Sequence, residues 1–428
     1  MKFYSSQNKS HQVLFDQALR KGLAPDGGLY CPEYIPQWSF DEMNELLQGN
    51  RVEVATEVLW AYTQDVWSKS DLENIVKEAL DFDIPLRRIS DQISILELFH
   101  GPTEAFKDVG ARFMARALSH VIGDDKLTIL VATSGDTGSA VADGFWNVEG
   151  IDVVILFPKD GVSAYQESQM TTLGDNIYAL EVEGTFDDCQ DLVKQAFQDP
   201  KINKEITLSS ANSINIGRLL PQSLYYYFLA QQLDASRDEY TVCVPSGNFG
   251  NLTSGFYAQQ SGLQFKKFIA ATNANKTFPD YLHSGEFHPK KSVATLSNAM
   301  DVGKPSNFER LMDLFDHNRE KMRTELNSTS ISDKETLGKM REINETYDYI
   351  LDPHTAVGWC AIDSLETDLE GQYVILGTAH PKKFERAVKL ALPDISFDFG
   401  TDNRPSKKVS IKNDYAQVSD FIQNGIQR

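Results

Sequence analysis

The chain has 428 residues, of which 41% are hydrophobic and 24% charged, proportions typical of a globular protein with about two or three domains. Its formal net charge is −20, which argues against nucleic acid or an anionic membrane as a partner. The four cysteines are widely separated, a pattern that favours a reducing cytoplasm and predicts no metal site, and no apolar run reaches the roughly 20 residues of a membrane span.

The first 80 residues differ from the rest of the chain. Helical patterns occupy 11–21 and 41–48, and there are few candidates for strands. We therefore predict that 1–80 forms an N-terminal helical layer packed on a larger domain.

The first loop of interest follows the apolar run 93–96. Gly101 and Pro102 break the strand, and a helical pattern over 105–118 places Lys107 in the first helical turn. Because a helix N-terminus is positive, this position lowers the pKa of an amine, as a Schiff-base lysine requires. A solvated surface lysine is the alternative, since most lysines are exposed.

From residue 126 onward, apolar runs of strand length alternate with helical patterns. The predicted strands are 126–132, 152–158, 177–182, 240–244, 268–272 and 372–376, and the main predicted helices are 139–146, 163–173, 186–197 and 219–233. This alternation predicts parallel sheets covered by helices on both faces, with ligands bound at the carboxyl ends of the strands. The polar stretches 318–339 and 404–413 are interpreted as a solvated helix and a linker.

Two glycine-containing loops follow predicted strands. The glycines of Thr133-Ser-Gly-Asp-Thr-Gly138 can direct backbone amides at an anion, or the loop can be a simple capped turn. Pro245-Ser-Gly-Asn-Phe-Gly-Asn251 can form a nest of N–H groups that suits a phosphate, or a tight turn with asparagine caps. The residues alone leave both alternatives open.

Two further segments carry polar side chains at element boundaries. The segment 209–218 is rich in hydrogen-bonding side chains and ends in Arg218, which could bind a substrate anion or form a salt bridge at a capped helix start. Thr378, after the strand 372–376, offers a hydroxyl that could serve a ligand or cap the next helix.

In combination these segments resemble the β-family of pyridoxal-phosphate enzymes and, within it, the threonine synthases. The matching motifs occur in the order of the family and span about 99–382: His100-Gly-Pro-Thr-Glu-Ala-Phe-Lys-Asp108, Thr133-Ser-Gly-Asp-Thr-Gly138, Ser210-Ala-Asn-Ser-Ile-Asn215, Pro245-Ser-Gly-Asn-Phe-Gly250, Ala294-Thr-Leu-Ser-Asn-Ala-Met-Asp301 and Leu376-Gly-Thr-Ala-His-Pro381. The resemblance implies the type-II pyridoxal-phosphate fold, an α/β architecture with two three-layer, parallel-sheet domains. We expect 81–108 and 235–428 to form the large cofactor-binding domain and 109–234 the small domain.

The resemblance also implies roles for individual residues. Lys107 would bind the cofactor covalently, and Thr378 would face its pyridine nitrogen. The cofactor phosphate would lie against Ser246, Gly247, Asn248, Phe249, Gly250 and Asn251.

Two further groups of residues would bind the substrate. Its α-carboxylate would contact the loop formed by Thr133, Ser134, Gly135, Asp136 and Thr137, and its phosphate the group formed by Asn212, Ser213, Asn215 and Arg218. Asp136 occupies a place where several relatives carry asparagine near the cofactor's 3′-oxygen. A carboxylate there would be repulsive unless protonated or shielded, so its role stays open.

The implied activity is that of a lyase in the last step of threonine biosynthesis. It would convert O-phosphohomoserine and water to threonine and phosphate by γ-elimination and β-hydration, in a cytoplasmic monomer or homodimer. The alternative within the same fold is a serine/threonine dehydratase or another β-replacement enzyme, which would need no second anion site. A nucleotide- or phosphate-binding regulatory protein is the alternative outside it, although such a protein has no use for Lys107 beside His100 and Pro102.

Overall fold

The computed structural model describes residues 1–233, 239–365, 371–399 and 404–426. The N-terminal region holds a three-stranded antiparallel sheet in the order β2-β1-β3, formed by β1 (Phe3–Ser5), β2 (Asn8–Val13) and β3 (Tyr30–Pro32). Four helices accompany it: α1 (Phe15–Lys21), α2 (Phe40–Leu46), α3 (Arg51–Thr63) and α4 (Lys69–Ala79). The predicted helix over 11–21 is therefore wrong in its first four residues, because 11–13 belong to β2 and the helix begins only at Phe15.

The rest of the described chain alternates strands with helices. The strands are β4 (Leu86–Arg88), β5 (Ile93–Glu97), β6 (Leu127–Ala132), β7 (Ile151–Pro158), β8 (Ile177–Glu183), β9 (Leu208–Ser210), β10 (Tyr240–Pro245), β11 (Lys267–Thr272), β12 (Leu326–Ser330), β13 (Gln372–Gly377) and β14 (Lys408–Lys412). The helices are α5 (Lys107–Ile122), α6 (Asp136–Phe145), α7 (Ala164–Thr171), α8 (Phe186–Gln198), α9 (Pro200–Glu205), α10 (Ile216–Leu219), α11 (Leu224–Gln232), α12 (Gly250–Gln260), α13 (Thr277–Ser284), α14 (Phe308–Leu314), α15 (Arg319–Glu325), α16 (Asp333–Tyr347), α17 (Pro353–Leu365), α18 (Glu385–Ala391) and α19 (Tyr415–Asp420).

These strands form two sheets. The six-stranded sheet has the order β12-β11-β10-β13-β5-β4, in which only β4 runs antiparallel to its neighbour, and the five-stranded sheet has the order β14-β8-β7-β6-β9 and is parallel throughout. Central strands such as β6 are buried along their whole length, as expected for continuous apolar runs covered on both faces. The predicted α/β fold with parallel sheets is confirmed.

Three interpretations of the sequence are wrong in detail. The stretch 318–339 contains the edge strand β12, and 404–413 contains the edge strand β14, so neither is only a solvated helix or a linker. Both strands are polar because an edge strand is partly exposed. The predicted helix 219–233 is divided by a 3₁₀ segment at Leu220–Ser223, where Pro221 lacks the N–H that a continuous α-helix needs.

The domain boundaries stay a prediction, to which the pairing of β14 adds one detail. This strand pairs with β8 in the five-stranded sheet, whereas the sequence interpretation places its residues with the larger domain. Phe3 and Phe15 of the N-terminal region belong to the same buried hydrophobic cluster as Phe113 and Phe268, so that region shares a core with the helices and strands around both sheets. Within the described ranges, no helix is long and apolar enough to cross a membrane.

Candidate active site

One pocket is lined by the loops that follow β6, β10 and β13 and by the start of α5. The predicted site residues that line it are Lys107, Thr133, Ser134, Asp136, Thr137, Asn212, Ser213, Arg218, Ser246, Gly247, Asn248, Phe249, Gly250, Asn251 and Thr378. Gly135 and Asn215 do not line it. The pocket thus lies at the carboxyl ends of strands from both sheets, where parallel α/β folds bind ligands.

Lys107 is the first residue of α5, as predicted. Its Nζ lies 3.7 Å from Asp136 Oδ2 and 4.4 Å from the centre of the Phe106 ring. Burial lowers the pKa of the Lys107 amine, and the charges of Lys383 and Arg218 lower it further, against the opposing effect of Asp136. A lysine with a depressed pKa has a larger fraction of neutral, nucleophilic amine.

The loop before Lys107 is fixed by the carboxylate of Asp108. This buried side chain accepts hydrogen bonds from the N–H of Thr103, at 2.9 Å, and from its hydroxyl. A Cβ on Gly101 would lie 2.4 Å from Asp108 Oδ2, so a glycine is needed for the carboxylate to fit. Burial raises the pKa of Asp108 to about 6 in spite of these hydrogen bonds.

Asp136 is surrounded by donors that the sequence analysis did not identify. Its Oδ1 accepts a hydrogen bond from Gln166 Nε2 at 2.9 Å and lies 3.3 Å from Nζ of the fully buried Lys383. Burial alone would raise the pKa of Asp136, but the charges of Lys383 and Lys107 outweigh it and hold that pKa below its usual range. The carboxylate is therefore ionised and compensated. Lys383 stands two residues after the motif that ends at Pro381, which is the only sequence signal for it.

Gly135 serves this arrangement although it is outside the pocket lining. It has a φ of +134°, and a Cβ there would lie 2.5 Å from the side chain of Gln166. Gln166 occupies the space that the missing side chain leaves, and so reaches Asp136. The predicted contact of Gly135 with a substrate stays a prediction.

The loop 246–251 has the features of a phosphate site. A Cβ on Gly247 would lie 2.9 Å from Cα of Met300, and Phe249 has a left-handed φ of +59° at the start of α12. Asn251 accepts a hydrogen bond from the Tyr226 hydroxyl at 2.9 Å, while its own buried Nδ2 has no partner in the described chain. An unsatisfied buried donor beside a helix N-terminus suits an anion, so these residues fit a cofactor phosphate.

Residues outside the 246–251 loop hold it in place. Asn248 Oδ1 accepts hydrogen bonds from the N–H and the hydroxyl of Ser306, both at 3.1 Å. The buried guanidinium of Arg310 donates to Asn307 Oδ1 at 2.8 Å and to the backbone carbonyls of Tyr30, Ser213 and Ile214. Arg310 thereby joins the N-terminal region to both sides of the pocket, a role that no local motif indicates.

The segment 212–218 is divided between two roles. Arg218 is buried and donates a hydrogen bond to the carbonyl of Ala211. Among the described residues its Nε has no hydrogen-bond partner and its guanidinium forms no salt bridge. Ser213 Oγ accepts from Asn307 Nδ2 at 3.2 Å, and Asn212 Nδ2 donates to Ala132 O at 3.1 Å. Asn215 is fully buried and is committed to structure, because it caps α10 and donates to the carbonyls of Leu19 and Ser210. Its side chain therefore has no free donor for a substrate, and the predicted contact is not supported.

Three more polar residues line the pocket. Thr378 lies directly after β13 and faces the pocket. Asn298 and His354 also line the pocket but were not among the predicted site residues, although Asn298 falls within the motif 294–301. His354 Nε2 accepts the N–H of Ala299 at 3.3 Å, so the Nδ1–H donates to Asp352 Oδ1 at 2.8 Å. Among the described residues there is no cluster of three His, Cys, Asp or Glu side chains that could hold a metal ion.

Comparison with known families shows to which family the chain belongs. The model of the pyridoxal-phosphate-dependent enzymes matches 84–378, and the models of the threonine synthase N terminus and C-terminal region match 2–80 and 355–422. This chain belongs to the threonine synthase family. A threonine synthase of Haemophilus influenzae is 45% identical over 430 residues, which cover 99% of either chain.

Solved structures agree with this family. The threonine synthase of Escherichia coli has a TM-score of 0.93 at 41% identity, covering 99% of this chain and 100% of its own. The threonine synthase of Brucella melitensis, solved with bound pyridoxal phosphate, has a TM-score of 0.91 at 33% identity and covers 100% of both chains. A threonine deaminase from Solanum lycopersicum, at 14% identity and a TM-score of 0.56, shares the fold alone; it covers 86% of this chain and 98% of its own.

Proposed function

We propose that this chain is a pyridoxal-phosphate-dependent lyase that converts O-phosphohomoserine and water to threonine and phosphate. In this reaction the Cγ–O bond breaks and phosphate leaves, a proton moves from Cβ to Cγ, the hydroxyl of water bonds to Cβ, and the remaining proton of water goes to the phosphate. The observation that carries the proposal is a partly buried lysine, Lys107, placed in one pocket with a loop that suits a phosphate and a second cationic group, Arg218. A dehydratase would have no need of the second cation.

The residues that would hold the cofactor fit its chemistry. The loop from Ser246 to Asn251 would bind its phosphate, Thr378 would face its pyridine nitrogen, and Lys107 would bind it covalently. When bound, pyridoxal phosphate supplies an electron sink that stabilises negative charge on the carbon atoms next to the substrate's amino group.

Lys107 supplies the proton transfer at the substrate's Cα. Its amine is buried, its pKa is lowered, and the nearest carboxylate oxygen, on Asp136, lies 3.7 Å away, beyond a strong hydrogen bond. A neutral amine held in this way can take a proton from carbon and return it.

The two anionic groups of the substrate would bind on different walls of the pocket. The backbone amides of Ser134 and Thr137, at the start of α6, suit its α-carboxylate, because a helix N-terminus attracts negative charge. The guanidinium of Arg218, with the side chains of Asn212 and Ser213, suits its phosphate.

The setting of the enzyme is part of the same proposal. All four cysteines are free and buried, as expected in a reducing cytoplasm. The net charge of −20 disfavours nucleic acid as a partner. The chain acts on a small-molecule substrate, as a monomer or a homodimer.

Product analysis tests the activity. The purified chain is incubated with O-phosphohomoserine and pyridoxal phosphate, and threonine and inorganic phosphate are measured together. We expect equal amounts of both from the wild type and neither from Lys107→Ala, whereas Lys201→Ala, which changes an exposed lysine, retains activity. Formation of 2-oxobutanoate from threonine without phosphate release from O-phosphohomoserine would assign the chain to the dehydratases.

The role of Arg218 has its own test. We expect Arg218→Leu to raise KM for O-phosphohomoserine and to cost about 2–4 kcal/mol in kcat/KM, with little effect on the binding of unphosphorylated amino-acid analogues. Arg341→Leu, which removes an exposed arginine, is the charge-matched control. If analogues and substrate lose affinity equally, the phosphate of the substrate binds elsewhere.

A further inference from the structure

Behind Asp136, which lines the pocket, lies a buried lysine, Lys383, that the reaction described above does not use. Lys383 is fully buried, and its Nζ donates to the carbonyl of Thr103 and lies 3.0 Å from Gln169 Oε1. Burying an ammonium group is costly unless it is paired and hydrogen-bonded. Its third neighbour, at 3.3 Å, is the Oδ1 of Asp136, which is the carboxylate that also faces Lys107.

Asp136 therefore lies between two lysines and contacts them unequally. Its Oδ1 is engaged by Lys383 at 3.3 Å and by Gln166 Nε2 at 2.9 Å, whereas its Oδ2 is 3.7 Å from Lys107 Nζ. The closer contacts are on the side away from Lys107. The negative charge is thus compensated by a group other than the reactive amine.

We propose that Lys383 is a positioning residue that compensates the charge of Asp136 and so leaves the amine of Lys107 free of a tight ion pair. The inference rests on the proposed role of Lys107 and explains how the pKa of that amine stays below its usual range beside a carboxylate. Without Lys383, Lys107 would be the only cation among the described residues in direct contact with Asp136. The buried pair would then hold the proton on Lys107.

The charged groups around this pair determine the direction of the effect. The pKa of Lys107 is affected by the charges of Asp136, Lys383 and Arg218. The pKa of Asp136 is affected by the charges of Lys107, Lys383 and His354. Asp108 is a further charged neighbour of Lys383. Removal of Lys383 takes away a cation that lowers the pKa of Lys107 and strengthens the effect of Asp136 that raises it, so both changes act in the same direction.

Competitive acetylation measures this effect without relying on turnover. The full chain, freed of cofactor, is treated with trace acetic anhydride over a range of pH, and mass spectrometry of the Lys107 peptide gives its apparent pKa. We expect Lys383→Met to raise that pKa by on the order of one unit. In the cofactor-loaded enzyme the Lys107 amine would be free only after the substrate has taken its place on the cofactor, so the acid limb of kcat should move to higher pH as well.

The neighbouring lysine provides a matched control. Lys382 pairs with Glu104 at 2.6 Å and makes no contact with Asp136, so Lys382→Met should leave the pKa of Lys107 unchanged. In an Asp136→Asn background, Lys383→Met should shift the pKa of Lys107 much less than in the wild type. Asp136→Asn alone should lower that pKa, which tests the inference even if Lys383→Met does not fold.

Two results would overturn the inference. One is a Lys383→Met protein with a lower Tm but an unchanged pKa of Lys107, since Lys383 would then only support the fold. The other is an equal shift with and without the Asp136 carboxylate. A failure to form threonine would instead refute the proposed function, because the acetylation result does not depend on it.

Discussion

At the scale of single residues, the phosphate cradle depends on the missing side chain of Gly247. A Cβ there would lie 2.9 Å from Met300 Cα and 3.1 Å from Ala299 O, which are backbone atoms that cannot rotate away. We expect Gly247→Ala to displace this wall of the pocket and to weaken the binding of pyridoxal phosphate by about 1–3 kcal/mol. Titration of the apoprotein with the cofactor, followed by absorbance, measures the change.

Gly338 is the control for this substitution. It lies inside helix α16, and a Cβ added there would meet nothing within 4 Å. Gly338→Ala should raise the free energy of unfolding by about 0.5–1 kcal/mol and leave cofactor affinity unchanged. Equal cofactor affinity in both variants and the wild type would refute the cradle assignment.

At the scale of elements, the start of helix α7 is linked to the site through one side chain. Gln166 Oε1 accepts the N–H of Ser163 at 3.1 Å to complete a capping box, while its Nε2 donates to Asp136. Gln166→Glu preserves the capping box but places a second carboxylate against Asp136. We expect kcat/KM to fall about tenfold or more, and the acid limb of its pH profile to move, because two adjacent carboxylates cannot both ionise freely.

Ser163→Ala separates the cap from the site. It removes the hydroxyl that accepts the N–H of Gln166 at 3.2 Å, and it should lower the free energy of unfolding by about 1 kcal/mol. Its kcat/KM should stay close to the wild-type value. If Ser163→Ala reduces kcat/KM as much as Gln166→Glu does, then Gln166 acts through the position of α7 and not through Asp136.

At the scale of the whole molecule, the net charge of −20 opposes the approach of an anionic substrate. The cations of the pocket are buried, so salt screens them less than it screens the surface. We therefore expect kcat/KM for O-phosphohomoserine to rise about two- to fivefold between about 10 mM and 150 mM ionic strength. Affinity for a zwitterionic competitor should not change, and a fall in kcat/KM with salt would show that the pocket attracts the substrate from a distance.

The sequence by itself determined the parallel sheets and predicted most of the residues that line the candidate site. Buried strands such as β6 and β10 are continuous apolar runs, and the loops that bind ligands follow directly after them. The position of Lys107 at the start of α5 could be predicted because its motif, the preceding strand end and the helix start are all local in the chain. The same holds for Gly247, whose missing side chain allows the 246–251 loop to pack closely against Met300.

Only the tertiary structure decided how charges and edges are paired. Asp136 and Lys383 meet at 3.3 Å although they are far apart in sequence, and no local pattern marks a lysine that will be buried beside a distant carboxylate. Strands β12 and β14 were not predicted because an edge strand forms by pairing with its neighbouring strand and does not require a continuous apolar sequence. Asn215 belongs to a matching motif, yet its side-chain amide donates to the carbonyls of Leu19 and Ser210. Which backbone carbonyls lie beside a buried amide is decided by the tertiary fold, so the local sequence could not indicate these hydrogen bonds.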